Sequence, residues 1–163
     1  MKKIAIIGSG PTGIYTFYSL LNNAAPLSIT VFEKADQPGV GMPYSDEDNS
    51  RLMLANIASI EIPPIFITYL DWLKQQSEAH LARYNVDKDR LNDRQFLPRI
   101  LLGEYFHDRF LAVVAEAKKA GFHIEVHPNA EVTDIKADAD GVALSVNDAP
   151  FSRRFDLAVV ATG

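Results

Sequence analysis

Six consecutive residues near the N-terminus have the types and spacing of a loop that binds phosphate. Gly8, Gly10 and Gly13 follow the pattern Gly-x-Gly-x-x-Gly, with Pro11 and Thr12 between the last two glycines. The first glycine of such a loop makes a tight turn, the second lets the backbone approach a pyrophosphate, and the third allows a helix to pack closely. The N–H groups at the start of that helix attract phosphate oxygens. The motif therefore predicts a dinucleotide site.

A carboxylate at the end of the following strand is the next candidate. Residues 3–7 and 28–33 predict two strands, and the helix between them begins at Pro11. The second strand ends at Glu33, about 20 residues after the last glycine of the motif, and we include the adjacent Lys34 in the predicted site. Glu33 can accept hydrogen bonds from ribose hydroxyls and would repel a 2′-phosphate, so we expect an adenosine without one. The alternative is an ordinary turn followed by a solvated glutamate.

A second small-residue turn stands at the other end of the chain. Residues 156–161 are apolar after the first aspartate and predict a central parallel strand. This strand would bring Thr162 and Gly163 to the same edge of the sheet as the glycine loop, and we assign both residues to the predicted site. The alternative is a buried strand followed by an ordinary turn. Because the chain stops directly after this turn, we expect the natural polypeptide to continue.

The elements between these motifs predict an α/β fold. Strand, helix and strand within the first 33 residues form a βαβ unit, and we expect a long insertion over about 35–98. The other expected elements are an amphipathic helix over 66–83, a polar surface connection over 84–95, a helix over 98–120, a third parallel strand over 122–126, and a small antiparallel meander with strands at 130–137, 141–147 and 150–155. Together they predict a single domain over residues 1–163.

The order of these elements resembles that of a known class of flavoproteins. The resemblance is to the FAD-binding domain of the two-dinucleotide-binding flavoproteins, whose terminal apolar strand also ends in Ala-Thr-Gly. In more detail the chain resembles a bacterial FAD/NAD(P)-binding family of uncharacterised proteins. Four segments match its pattern: 39–44, 54–56, 71–73 and 98–105. The likeness covers essentially all 163 residues, as the N-terminal part of a longer protein.

The resemblance implies a Rossmann-like, three-layer FAD-binding domain with a central parallel sheet and a small antiparallel β-meander. It implies FAD as cofactor, NAD(P)H as a co-substrate of the full-length protein, and an oxidoreductase role. Three residues join the predicted site in this way: Gly41 in the loop at 39–44, Arg99 at the start of a helix that faces the ribityl-diphosphate, and Val132 in backbone contact with adenine. A guanidinium suits paired phosphate oxygens. The alternatives are a solvated surface charge for Arg99 and a packing role in the meander for Val132.

Composition restricts the classes of binding partner and the cellular compartment that we expect. The net charge is −5, and no basic stripe is interleaved with aromatic residues, which argues against nucleic acid. There is no cysteine, and the four histidines lack the spacing of metal ligands, so we expect no metal site and no redox thiol. No apolar run has the length of a membrane span and no signal sequence precedes the first strand, so we expect no membrane partner and a cytoplasmic location.

No nucleophile or general base emerges from the sequence, so the catalytic residues stay unassigned. A flavin carries electron chemistry itself, and we expect the substrate-facing residues beyond residue 163, which would leave this fragment inactive alone. The leading prediction is the FAD-binding domain of a flavin-dependent oxidoreductase that acts on an unidentified small molecule. Two alternatives stay open: a non-catalytic module that binds FAD or NAD, and a domain of an NAD-dependent dehydrogenase.

Overall fold

A four-stranded parallel sheet forms the middle of the computed structural model, which describes residues 1–163. The helices and strands follow in this order: β1 (Lys3–Ile7), α1 (Pro11–Leu20), β2 (Ser28–Phe32), α2 (Tyr69–Gln75), α3 (Glu78–Ala82), α4 (Arg99–Lys119), β3 (His123–His127), β4 (Val132–Asp138), β5 (Gly141–Val146), β6 (Ala149–Pro150) and β7 (Leu157–Val160). The parallel sheet has the order β3-β2-β1-β7, and β4, β5 and β6 form a separate antiparallel sheet. The predicted α/β architecture with a small meander is confirmed.

Strand β1 shows how the sheet is covered on both faces. Successive side chains of a strand point to opposite faces. Ile4 and Ile6 belong to a large apolar cluster shared with the four helices, whereas Ala5 and Ile7 belong to a smaller cluster shared with the meander. The main core therefore lies between the sheet and the helices. The meander covers the opposite face, and three layers result.

Helices α1 and α4 carry the apolar stripes that their sequences predict. Ile14 and Phe17 of α1 are fully buried, and the Phe17 ring meets the Phe110 ring of α4 edge to face at 6.4 Å. Helix α4 ends at Lys119, and Gly121 follows with a φ of +86°, a conformation that ends helices. The predicted positions of both helices are confirmed, and the third parallel strand follows α4 as expected.

The single helix predicted over 66–83 is wrong in its continuity. The helices α2 and α3 take its place because Gln76 has an extended backbone, with φ −74° and ψ 151°, and Ser77 caps a new helix. The Ser77 hydroxyl accepts a hydrogen bond from the His80 N–H at 3.1 Å, which offers the backbone an alternative to helix continuation. The apolar anchors Leu73 and Leu81 are nevertheless fully buried, as predicted.

The last strand differs from its predicted central position. Strand β7 lies at the edge of the sheet and pairs only with β1. Because no strand lies beyond it, Leu157 and Val160 are 52% and 59% exposed. The third meander strand is also shorter than predicted, since β6 has two residues and Phe155 makes only an isolated bridge to Val142.

Arg153 connects the meander to the parallel sheet. It lies in the segment that follows β6. Its guanidinium donates to the Glu125 carboxylate of β3 and, at 3.1 Å, to the Thr30 hydroxyl of β2. It also lies over the Phe151 ring, 5.4 Å from the centroid. Arg153, together with His123, lowers the pKa of Glu125 to about 2. The meander-facing side of the sheet is thus closed at its β3 edge by a charged contact.

Replacing Arg153 with methionine is expected to lower the free energy of unfolding by about 1–2 kcal/mol at neutral pH, because the carboxylate loses its charged donor. A carboxylate whose pKa is lowered on folding stabilises the fold above its unfolded value, and this contribution is lost as the pH falls towards the folded value. The difference between parent and Arg153→Met should therefore be full above pH 4.5 and shrink as the pH falls towards about 2. Urea unfolding at a series of pH values measures it.

Arg154→Met is the matched control for this prediction. Arg154 pairs with Asp138 on the exposed hairpin, where solvent screens the pair, so a smaller change is expected. An equal loss of unfolding free energy in both variants would contradict the assigned role of Arg153. A loss in Arg153→Met that does not vary with pH would also contradict it.

Candidate functional site

A cavity of about 420 Å³ opens where β1, β2 and β7 end. Parallel strands place their carboxyl ends at one edge of the sheet, where ligands of open α/β sheets bind. The structure brings ten of the twelve residues predicted from the sequence to this cavity. They are Gly8, Gly10, Pro11, Thr12, Glu33, Lys34, Gly41, Val132, Thr162 and Gly163.

The glycine loop has the geometry that its spacing predicts. Gly8 has a φ of +96°, and a Cβ on it would lie 2.5 Å from the carbonyl oxygen of Ala161. Gly13 does not line the cavity but packs against the backbone of Gly8, which does. A Cβ on Gly13 would lie 2.1 Å from the carbonyl oxygen of Gly8. Gly10 faces the opposite wall, where its Cβ would come within 3.3 Å of the Gly41 Cα. Helix α1 starts at Pro11, within this motif, so its positive end lies at the cavity that Pro11 and Thr12 line.

The Glu33 carboxylate joins the glycine loop to the segment that follows β2. Its Oε2 accepts hydrogen bonds from the Ser9 N–H at 3.0 Å and the Ser9 hydroxyl at 2.6 Å, and its Oε1 accepts one from the Ala35 N–H at 3.0 Å. Three of about four acceptor positions of the carboxylate are therefore used within the protein. One acceptor position at Oε1 is left without a partner in the protein.

Ser9 is the main residue that the sequence did not single out. Its side chain is completely buried, donates to Glu33 and accepts a hydrogen bond from the Gly39 N–H at 2.9 Å. The hydroxyl therefore couples the carboxylate to the loop that ends at Gly41. No local pattern in the sequence reveals this contact, because its partners lie 24 and 30 residues away along the chain.

Further walls of the cavity come from neighbours of predicted residues. Met42, Pro43 and Tyr44 continue the segment that begins at Gly41, and Ala130 and Glu131 precede Val132. The N–H of Ala130 donates to the carbonyl of Glu33 at 2.8 Å, which places the start of the meander beside the end of β2. Adjacency to predicted residues is the signal that could have found these positions.

Arg99 is the predicted residue that the structure does not bring to the cavity. It begins α4, as expected, but its backbone N–H donates to the Met53 carbonyl at 2.8 Å and its Nε donates to the Leu54 carbonyl at 3.1 Å. The Leu54 carbonyl thus holds the Arg99 side chain at the 52–56 segment, and Arg99 is not among the residues that line the cavity.

A second, larger cavity of about 960 Å³ adjoins the first, since five residues line both: Glu33, Lys34, Gly41, Met42 and Tyr44. Three of the residues that line it are in contact: Glu104 Oε2 of α4 lies 2.5 Å from His80 Nε2 of α3, and the Glu104 carboxylate accepts a hydrogen bond from the Tyr84 hydroxyl. Burial, together with this hydrogen bond, raises the pKa of Tyr84 to about 12. The three side chains tie α3 to α4 and are separate from the glycine loop.

Two other properties of the molecule bear on its chemistry. No group of three or more His, Cys, Asp or Glu side chains is arranged to hold a metal ion. None of the helices is both long enough and apolar enough to span a bilayer.

Comparison with known proteins places this geometry in context. A family model described as FAD-NAD(P)-binding matches residues 5–163. An uncharacterised protein of Escherichia coli (strain K12), YdhS, is 61% identical over 163 residues, which are 100% of this chain and 30% of the relative. The chain therefore spans less than one third of the length of this curated relative.

Solved structures share the fold at low sequence identity. S-allyl-L-cysteine S-oxygenase from Allium sativum has a TM-score of 0.58 and 19% identity, with 99% of this chain and 36% of the oxygenase covered. CtdE in complex with FAD and a substrate has a TM-score of 0.51 and 14% identity, with 100% and 38% covered. Thioredoxin reductase from T. acidophilum has a TM-score of 0.50 and 15% identity, with 100% and 36% covered. At these identities the likeness concerns the fold, which is a Rossmann-type dinucleotide-binding fold.

Proposed function

Because this chain belongs to the family of FAD-NAD(P)-binding proteins, we propose that it binds FAD and forms the N-terminal, FAD-binding portion of a longer flavin-dependent oxidoreductase. One observation carries the proposal: a single cavity joins the glycine loop, the Glu33 carboxylate and the small-residue turn after β7. A glycine loop before a helix and an acid about 20 residues further on are the parts that bind a dinucleotide at the carboxyl edge of a parallel sheet, and the turn after β7 lies at the same edge.

The residues at this cavity fit the phosphate and ribose groups of a dinucleotide. A Cβ on Gly10 would meet only the Gly41 Cα within 4 Å, so the missing side chain lets a pyrophosphate approach the backbone from the open side, where the first turn of α1 presents N–H donors. Glu33 keeps one acceptor position for a ribose hydroxyl. Val132 and its neighbours at 130–131 form the wall beside Glu33, where we place the adenine. Bound FAD would supply the electron chemistry, and the protein would supply position and electrostatics.

The length of the relative supports a longer polypeptide. Residues 1–163 correspond to 30% of the Escherichia coli protein. Strand β7 also has an open outer edge with apolar side chains on both faces, and a parallel strand of this composition is normally covered. We therefore place the substrate-binding residues, and the contacts with NAD(P)H as electron donor, in a region that follows residue 163.

The test is the absorption spectrum of the purified full-length polypeptide, followed by titration with FAD, NADH and NADPH. Bound flavin that is reduced by NADH or NADPH supports the proposal. Absence of bound flavin together with no response to added FAD rejects it. Binding of NAD with no affinity for FAD would favour an NAD-dependent dehydrogenase. Bound FAD that no nicotinamide or substrate reduces would favour a non-catalytic binding module.

A further inference from the structure

An apolar groove lies on the surface between the 52–56 segment and the segment that precedes α4. Its large side chains are unusually open to solvent, since Leu52 is 76% exposed, Leu54 54% and Phe96 55%. All three line one concave space of about 420 Å³, separate from the glycine loop. Soluble proteins rarely leave a contiguous group of large apolar side chains uncovered.

The groove is held in shape by backbone hydrogen bonds. The Ala55 N–H donates to the Leu97 carbonyl and the Arg99 N–H to the Met53 carbonyl, both at 2.8 Å, and Leu54 pairs with Pro98 as an antiparallel bridge. Leu54 and Pro98 lie opposite each other in this bridge, and Leu52 and Phe96 line the same space. Arg99 adds a third restraint through its Nε bond to the Leu54 carbonyl. The apolar side chains are therefore presented on a fixed backbone.

The groove has the anatomy of an interface. Val86, which is buried, and Pro98 extend its apolar lining, and Arg51, Asp87 and Arg90 stand around it as charged residues. Protein interfaces combine a desolvated apolar centre with a polar rim in this way. The rim carries both signs of charge, which suits a polypeptide partner that has polar residues beside an apolar anchor.

We propose that the groove receives an apolar segment of the same polypeptide, from the part that lies outside residues 1–163. The relative that is 61% identical to this chain is more than three times as long as the matched region, so a large part of such a polypeptide is available to cover the groove. The proposal shares with the proposed function only the premise of a longer polypeptide. It does not depend on FAD.

The absence of cysteine in residues 1–163 permits a specific test. Leu54→Cys is made in the full-length polypeptide, with Leu111→Cys as its matched control, since Leu111 on α4 is 50% exposed. Maleimide labelling rates are read from the peptides by mass spectrometry, in protein freed of flavin and in protein with FAD added. Phe96→Cys provides a second position if Leu54→Cys does not fold.

We expect the full-length Leu54→Cys protein to be labelled about tenfold more slowly than the Leu111→Cys control, with or without flavin and at every protein concentration. Equal rates in the two variants, or a full-length chain without further residues, would overturn the proposal. Protection that appears only with FAD would assign the groove to the cofactor, and protection that grows with concentration would assign it to a second copy. Either result would also overturn it, while failure of flavin binding alone would leave the labelling result unchanged.

Discussion

Gly10→Val is expected to abolish FAD binding by the full-length protein, with a Kd at least about 100-fold higher than that of the parent. Gly10 has φ −66° and ψ −173°, which any residue can adopt, so the substitution does not strain the backbone. Its Cβ would instead lie 3.3 Å from the Gly41 Cα, and the two γ-methyl groups would occupy the space in which we propose that the pyrophosphate binds. Fluorescence titration with FAD measures the affinity, and circular dichroism checks the fold.

Gly10→Ala is the graded control, because a single methyl group at 3.3 Å demands a shift of only a few tenths of an ångström from Gly41. We expect a loss of affinity of about tenfold for alanine, which is about 1.4 kcal/mol. A folded Gly10→Val protein that binds FAD within threefold of the parent would remove the phosphate assignment.

Glu33→Gln is expected to weaken both FAD binding and the fold. The carboxylate accepts from two N–H groups on opposite oxygens, Ser9 on Oε2 and Ala35 on Oε1. An amide has only one acceptor oxygen, so its NH₂ group must face one of these donors. We expect a loss of about 2–3 kcal/mol in the free energy of unfolding, because a buried donor is left unsatisfied. The same rearrangement should raise the Kd for FAD by about 10- to 100-fold.

Two variants separate this effect from a change of charge. Glu131→Gln removes an exposed acid beside the cavity whose side chain makes none of these hydrogen bonds, so the free energy of unfolding should stay close to that of the parent. Ser9→Ala keeps the Glu33 charge but removes the hydroxyl between Glu33 and Gly39, and an intermediate effect is expected. Thermal unfolding and FAD titration of the three variants give the comparison. If Glu131→Gln were as destabilising as Glu33→Gln, charge and not hydrogen bonding would be responsible for the loss of stability.

Much of the fold was predictable because its signals are local. The strand over 3–7, the helix that starts at Pro11 and the long helix that starts at Arg99 each follow from a pattern of apolar residues within one element. The helix break at Ser77 was also local, but the apolar pattern on either side of it continues in phase. Periodicity alone therefore favoured one helix where serine capping produces two.

The candidate site was predictable only in part. The glycine spacing identified the loop because a side chain would be sterically excluded there: a Cβ at Gly8 or Gly13 would collide with backbone atoms. Arg99 was placed correctly at the start of α4, yet the position of its side chain depends on the Leu54 carbonyl, 45 residues away along the chain. Such partners are fixed by packing of distant segments, which no motif encodes.

The sequence by itself determined the kind of site, since a glycine turn between strand and helix and an acid after the next strand suit a dinucleotide. Only the tertiary structure decided how the site is held: it buried Ser9 between Glu33 and Gly39, and it left β7 at an open edge. The physical reason is how far apart along the chain the interacting residues lie. Steric and periodic rules act between neighbours along the chain, whereas hydrogen bonds and burial at the site join residues that become neighbours only after folding.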